Sequence, residues 1–377
     1  MQAETVRIIR ASILGSVAIL PILILPSLVG ALVDYSAFTE AEAGWVVAVG
    51  FAGSALGAIT AGLRIRHLDP RKLAVLGLLT LVIFDAASML VNQLPTWLFV
   101  TFRFVSGIGG AVAYAAVMAS IAASSKPERG YGIFMVFQFG ISAIGLYGLP
   151  LLLADIGTVG TFLIMASAAA LSLLLKDSVI HRSTIVEDAA IEIHMLVRPA
   201  AVFAMIGIGF YETANFMHYT YADRIGVAYA LPDYEIGRVL GTASFLGIPA
   251  ALIVVWIGDR FGQLRPLLFA LLLSVAALAG LLFLARPSTY AVSMAALGFA
   301  WSFGLPFFYA VEARLDPGGS VVVVGGFFTA MGSVAGPAIA AALVTPGGYD
   351  RVLVTAIGVY LLVAGLMVLS TRLAKEI

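Results

Sequence analysis

The sequence predicts an all-α membrane protein with twelve transmembrane helices in two pseudo-symmetric six-helix bundles. Three observations carry this. Of 377 residues, 61% are hydrophobic and only 11% are charged, with a mean hydropathy of +1.05. Soluble domains carry about 25% charged residues, and a larger core cannot absorb the deficit because its surface must still be covered. Apolar runs also recur along the whole chain at about 20 residues, the length a helix needs to cross a hydrocarbon core of about 30 Å. These runs are continuous rather than alternating, which argues against a membrane β-barrel. Finally, landmarks of the first half return in the second.

The first six runs lie near 11–33, 42–63, 73–92, 96–123, 130–154 and 157–175. The first follows Arg7 and Arg10, is longer than a signal-peptide core and lacks an Ala-x-Ala site, so it is expected to be a spanning helix of the mature protein. The second six lie near 199–222, 236–257, 265–285, 288–311, 321–344 and 349–370. Between the two sets stands a polar stretch with Glu187, Asp188 and Glu192. The expected domains are therefore a bundle over 1–176, a cytoplasmic linker over 177–198 and a second bundle over 199–377. With the N-terminus placed in the cytoplasm, 16 of the 21 Lys and Arg residues fall on that side, among them Arg64, Arg71, Lys72, Arg129, Arg198 and Arg372. That bias places both termini in the cytoplasm of what is expected to be a bacterial inner membrane.

The repeat is local as well as global. Arg66-His67-Leu68-Asp69 follows the second span, and Asp259-Arg260-Phe261-Gly262 follows the eighth. Gly140 and Gly145 of the fifth span match Gly332 and Gly336 of the eleventh. The offset stays near about 190 positions, as in transporters built from duplicated bundles.

The Gly258-Asp259-Arg260-Phe261-Gly262 turn with Arg265, the Arg103-Phe-Val-Ser-Gly107-Ile-Gly109-Gly110 stretch and the twelve spans together resemble the major facilitator superfamily over essentially the whole chain. The resemblance implies rocker-switch secondary transport through a central cavity lined by spans one, four, seven and ten. The first-half turn departs from the family pattern, with Arg66 where an acid is expected and Asp69 where a glycine is expected. Gly145-Leu-Tyr-Gly148-Leu-Pro150 matches the antiporter pattern of span five only in part, and Gly336-Pro337 in span eleven is closer.

Charged residues well inside spans need a reason, because each costs about 2.5–3.5 kcal/mol on insertion scales. Asp85 and Arg103 lie equally far from a turn near Gln93–Pro95, so an antiparallel hairpin puts them at one depth, either as a structural ion pair or with Arg103 holding an anionic group. Glu212 has no basic residue within one helical turn and is the leading proton-coupling candidate, with Asp85 second. His218 lies on another face of the same helix. Tyr114, Gln138, Tyr211, Asn215, His218, Trp301 and Phe307, with Arg103, are the expected substrate contacts, although any one of these aromatics could instead pack or face lipid. Asp259, Arg260, Gly262, Arg265, Glu312 and Arg314 are expected to form a cytoplasmic gate in the second half, and Arg66 with Glu128 a rewired one in the first.

Other classes find little support. Twenty-one basic residues balance 21 acidic ones, which gives no nucleic-acid footprint, and the absence of cysteine removes disulfides and thiolate metal sites. No Gly-Lys-Ser/Thr loop, nucleophile–base set or His/Glu ligand set is present, so neither an enzyme nor a metal site is expected. The expected protein is a monomeric secondary transporter in the lipid bilayer, using the proton gradient and no cofactor. It exports a small amphipathic or aromatic organic compound. An uptake symporter for an organic anion, a lipid flippase and a non-transporting assembly or sensor protein are the alternatives.

Overall fold

The computed structural model describes residues 2–64, 68–180, 192–284 and 286–374. The chain divides into two compact units, Met1–Val186 and Glu187–Ile377. Among the described residues, nine helices are long and apolar enough to cross a membrane. One of these is double length; taken as two crossings, and with a shorter helix and a broken first span added, the set is consistent with twelve.

The first unit opens with α1 (Gln2–Ala18), α2 (Leu20–Leu23) and α3 (Leu25–Tyr35) where one continuous span was expected. The breaks fall at Ile19 and Ile24, each two residues before a proline, Pro21 and Pro26. A proline removes an amide donor and its ring crowds the preceding turn, which accounts for both interruptions. The helices α4 (Glu40–Arg64), α5 (Pro70–Ser88) and α6 (Thr96–Ala122) follow, and α6 packs against both α4 and α5. The α4–α6 contact depends on small residues: a β-carbon at Gly107 would run into the Gly50 carbonyl, and one at Gly53 into the Phe104 carbonyl. The fifth and sixth expected spans form one long element, α7 (Pro127–Ser172), broken at Gly157, where φ is 56°. Two hydroxyls of α7 reach back to the broken first span. Ser142 donates to the Leu23 carbonyl at 2.8 Å and Thr158 to the Ala31 carbonyl at 2.6 Å. Leu14, Leu78, Val117, Ile121 and Phe134 form the core of this unit.

The second unit contains the short α8 (Ile193–Leu196), then α9 (Pro199–Thr220), α10 (Ala222–Ala228), α11 (Asp233–Phe245), α12 (Gly247–Ile257), α13 (Leu264–Phe283), α14 (Pro287–Leu315), α15 (Ser320–Leu343) and α16 (Asp350–Leu373). The central helix is α9, flanked by α15 and α16 and buried along most of its length. Gly332 and Gly336 of α15 make the approach possible, since β-carbons there would strike the Gly209 and Thr213 carbonyls of α9. Large apolar side chains stand exposed on both units: Ile144, Leu174, Val255 and Phe283 are all more than 70% exposed. Buried polar groups and apolar exteriors are the pattern of a chain whose solvent is lipid.

Candidate functional site

A run of buried polar groups lies in the second unit, along α9. Its residues follow one another as Tyr211, Glu212, Thr213, Asn215 and His218, all buried. Glu212 is 2% exposed and accepts a hydrogen bond from the Trp301 indole N–H of α14 at 3.2 Å. It forms no ion pair among the described residues. One position earlier, the Tyr211 hydroxyl faces the Ala300 and Trp301 carbonyls at 3.4 Å each, so neighbouring residues of α9 hold the same stretch of α14. The Tyr211 ring lies 4.6 Å from Phe308 and 5.9 Å from Tyr360. Two turns further along α9, on the side that Tyr211 also presents to Tyr360, His218 Nε2 lies 3.1 Å from the Tyr360 hydroxyl of α16. Its Nδ1 is buried with no hydrogen-bond partner among the described residues. Phe307 is buried in an aromatic row, with Phe303 5.4 Å away and Phe299 5.6 Å beyond that.

Tyr360 lies outside the sequence-derived set, and so does Ser106 of the first unit. There Arg103 and Asp85 form the ion pair that their equal depth predicts, with Nη2 2.6 Å from Oδ1. Ser106 donates to the same carboxylate oxygen at 2.8 Å, and Arg103 Nη2 also donates to the Phe84 carbonyl at 3.1 Å. The guanidinium stands 4.7 Å from the centre of the Phe162 ring. Tyr114 packs edge-on to Phe134 at 5.8 Å, and Gln138 is half-buried on α7. Within the first unit, Arg103 and Asp85 thus belong to a pair network and Tyr114 packs against the core.

The gate candidates separate in space. Gly258 and Gly262 take φ of 55° and 67°, a left-handed backbone that lets the chain reverse in the turn between α12 and α13. Asp259 is exposed in that turn and makes no ion pair among the described residues, while the Arg260 guanidinium lies 5.3 Å from the centre of the Trp256 ring. Gly262, Arg265 and Arg314 line one cavity at this end of the unit. Glu312, expected at the surface with them, is instead 1% exposed against α15, where a β-carbon at Gly325 would collide with its carboxyl. Both of its carboxylate oxygens are without a hydrogen-bond partner among the described residues. Asp316, not singled out from the sequence, accepts from the Gly318 amide at 2.8 Å and the Val321 amide at 3.1 Å, which holds the first turn of α15. Burial pushes the Asp316 carboxyl up, but the Val321, Gly318 and Ser320 donors outweigh it and hold the group below its ordinary value. Glu128 is exposed at the start of α7, and Arg66 lies outside the described residues.

Fold and site together define a polytopic helical membrane protein with two compact units and ionisable groups buried inside its spans. The family model for the Major Facilitator Superfamily matches residues 11–333, and the chain belongs to that family. Among solved structures it is similar to a bacterial homologue of the human lysosomal transporter Spinster, an inward-facing and unoccupied structure, with a TM-score of 0.74 and 12% identity over 99% of this chain and 98% of that one. It is likewise similar to the nucleoside transporter NupG, with a TM-score of 0.77 and 12% identity over 97% of this chain and 99% of that one. No curated protein sequence gives a significant match. The protein is an integral membrane protein with the transporter fold of this family, and family and fold mark a transporter rather than an enzyme.

Proposed function

We propose that the protein is a proton-coupled secondary transporter that exports a small amphipathic or aromatic organic compound by alternating access. The observation that carries the reading is Glu212, a carboxyl 2% exposed on the central helix of the second unit, held by one neutral indole donor and no cation among the described residues. An acid buried within a spanning helix without a charge partner is the kind of group that marks proton relays in transporters. Asp85 is the weaker coupling candidate, because Arg103 already satisfies its charge.

The aromatic residues of α9 and α14 support the substrate class. Tyr211, Trp301 and Phe307, together with His218 and Asn215, offer ring faces and few charges, which suits a flat or amphipathic organic molecule better than a sugar. Tyr114, Gln138 and Arg103 are the proposed contributions of the first bundle. In this reading the bundles 1–176 and 199–377 are the alternating parts, joined by 177–198 as a cytoplasmic linker. The protein works as a monomer in the inner membrane with both termini in the cytoplasm.

The test begins with a thermal-shift screen of the purified protein against organic acids, drugs and lysolipids. A compound that stabilises it is then loaded into proteoliposomes carrying a pH gradient. Wild type should accumulate it against its own gradient, whereas Glu212→Gln should exchange it downhill only. Uphill transport by Glu212→Gln at the wild-type level would refute the coupling assignment. Accumulation in inverted rather than right-side-out vesicles would establish export.

A further inference from the structure

Four helices of the second unit end around a single cavity of about 590 Å³ that no residue of the Glu212 cluster lines. The helices α9 and α13 begin there, and α14 and α16 finish there. Three arginines come to it from three different elements: Arg198 immediately before α9, Arg265 in the first turn of α13 and Arg314 in the last turn of α14. Among the described residues, no carboxylate is in its lining. None of the three arginines is in an ion pair among the described residues. Of the acids closest in sequence to Arg314, Glu312 is buried against Gly325 of α15 and Asp316 accepts from the amides of its own turn. Asp259, in the adjoining turn, is exposed and not in the lining.

Three like charges around one cavity repel one another, and the positive ends of two helices add to that potential. An anion relieves both. The walls say what kind of anion fits, because Leu264, Val311 and Leu315 supply apolar surface beside the arginines. The volume is also far more than a bare ion needs and falls within the range of about 300–1,000 Å³ typical of small-molecule sites. A cavity at the ends of spanning helices lies at headgroup depth, where basic pockets meet the phosphates of anionic lipids.

We propose that this cavity is a phosphate site, taking the phosphate of an anionic phospholipid headgroup or a free phosphate anion through Arg198, Arg265 and Arg314. The test uses the full chain in phosphatidylcholine-containing micelles, titrated with phosphatidylglycerol in one arm and with inorganic phosphate in the other, and read as the shift of its thermal midpoint. Arg265 and Arg314 are exposed, so Arg265→Gln and Arg314→Gln leave the packing intact, which elution and helical signal in phosphatidylcholine alone will verify. Each should weaken phosphatidylglycerol binding about five-fold, the worth of one basic side chain at an anionic headgroup. Arg372→Gln removes an exposed charge in the last turn of α16, outside the lining, and should weaken binding by less than about two-fold. Stabilisation by phosphatidylglycerol alone identifies the lipid as the source. An equal, arginine-dependent shift with inorganic phosphate identifies a free anion. If the Arg265→Gln, Arg314→Gln double variant responds to both probes as wild type does, or if Arg372→Gln costs as much as either, the cavity is not a phosphate site.

Discussion

Replacing Arg103 with methionine leaves the Asp85 carboxyl, 3% exposed, with the Ser106 hydroxyl as its partner. Replacing Asp85 with leucine leaves a guanidinium 6% exposed over the Phe162 ring, donating to the Phe84 carbonyl. Stranding one member of a buried pair costs about 3–5 kcal/mol, in line with the about 2.5–3.5 kcal/mol charged for a lone ion at the centre of a spanning helix. Removing both members, as Asp85→Leu with Arg103→Met, should be close to neutral, since apolar replacement of a buried pair is often neutral or stabilising by about 1–4 kcal/mol. The cycle should therefore show a coupling of about 3 kcal/mol or more, far outside the about 0.3–0.5 kcal/mol scatter of independent sites. Reversible unfolding of the four proteins in mixed micelles measures it. A double variant as unstable as the two single losses combined would refute the view that the pair is a self-contained structural unit. It would also revive an anion-holding role for Arg103.

Three further perturbations follow from particular contacts. Gly107→Ala drives a methyl group into the Gly50 carbonyl and should cost about 1–3 kcal/mol in the same unfolding assay, whereas Gly132→Ala, with open space around it, should cost far less. Asp316→Ala removes the acceptor that holds the first turn of α15 and should cost about 1 kcal/mol, the worth of a capping side chain. Because the folded Asp316 carboxyl titrates below its ordinary 3.8, its contribution is complete above that value and is lost as the pH falls through the lower folded value. The gap in thermal midpoint between wild type and Asp316→Ala should thus be flat at neutral pH and close only in strong acid. Asp259→Asn should slow transport more than Arg66→Gln, because the acid–base turn in its familiar form stands only in the second half; equal slowing would contradict that asymmetry.

Much of this was legible because it follows from distance along a helix. The Arg103–Asp85 pair is readable because a hairpin turned near Gln93–Pro95 puts both residues at one depth, although equal depth alone fits an anion-holding Arg103 as well. The separation of His218 from Glu212 follows from helical pitch alone. The interruptions at Ile19 and Ile24 carry a signal, Pro21 and Pro26, that the hydropathy of the run hides. Tyr360 carries none, since its hydroxyl meets His218 across 142 positions through the packing of α16 on α9, and neither residue marks the other locally. Glu312 shows the same limit from the other side. Its place near the end of α14 suggests a solvated gate, but the absence of a side chain at Gly325 lets α15 close over it. Trp301 and Glu212 both stand out in the sequence, yet their contact depends on how α14 rotates against α9, which periodicity alone does not determine.

The central claim is that Glu212 carries the coupled proton. The most direct measurement is proton movement itself, followed with a pH-sensitive dye inside proteoliposomes when a transported compound is added without any imposed pH gradient. Wild type should move protons in step with the compound, and Glu212→Gln should move the compound down its gradient with no proton signal. Proton movement of wild-type size in Glu212→Gln would contradict the account.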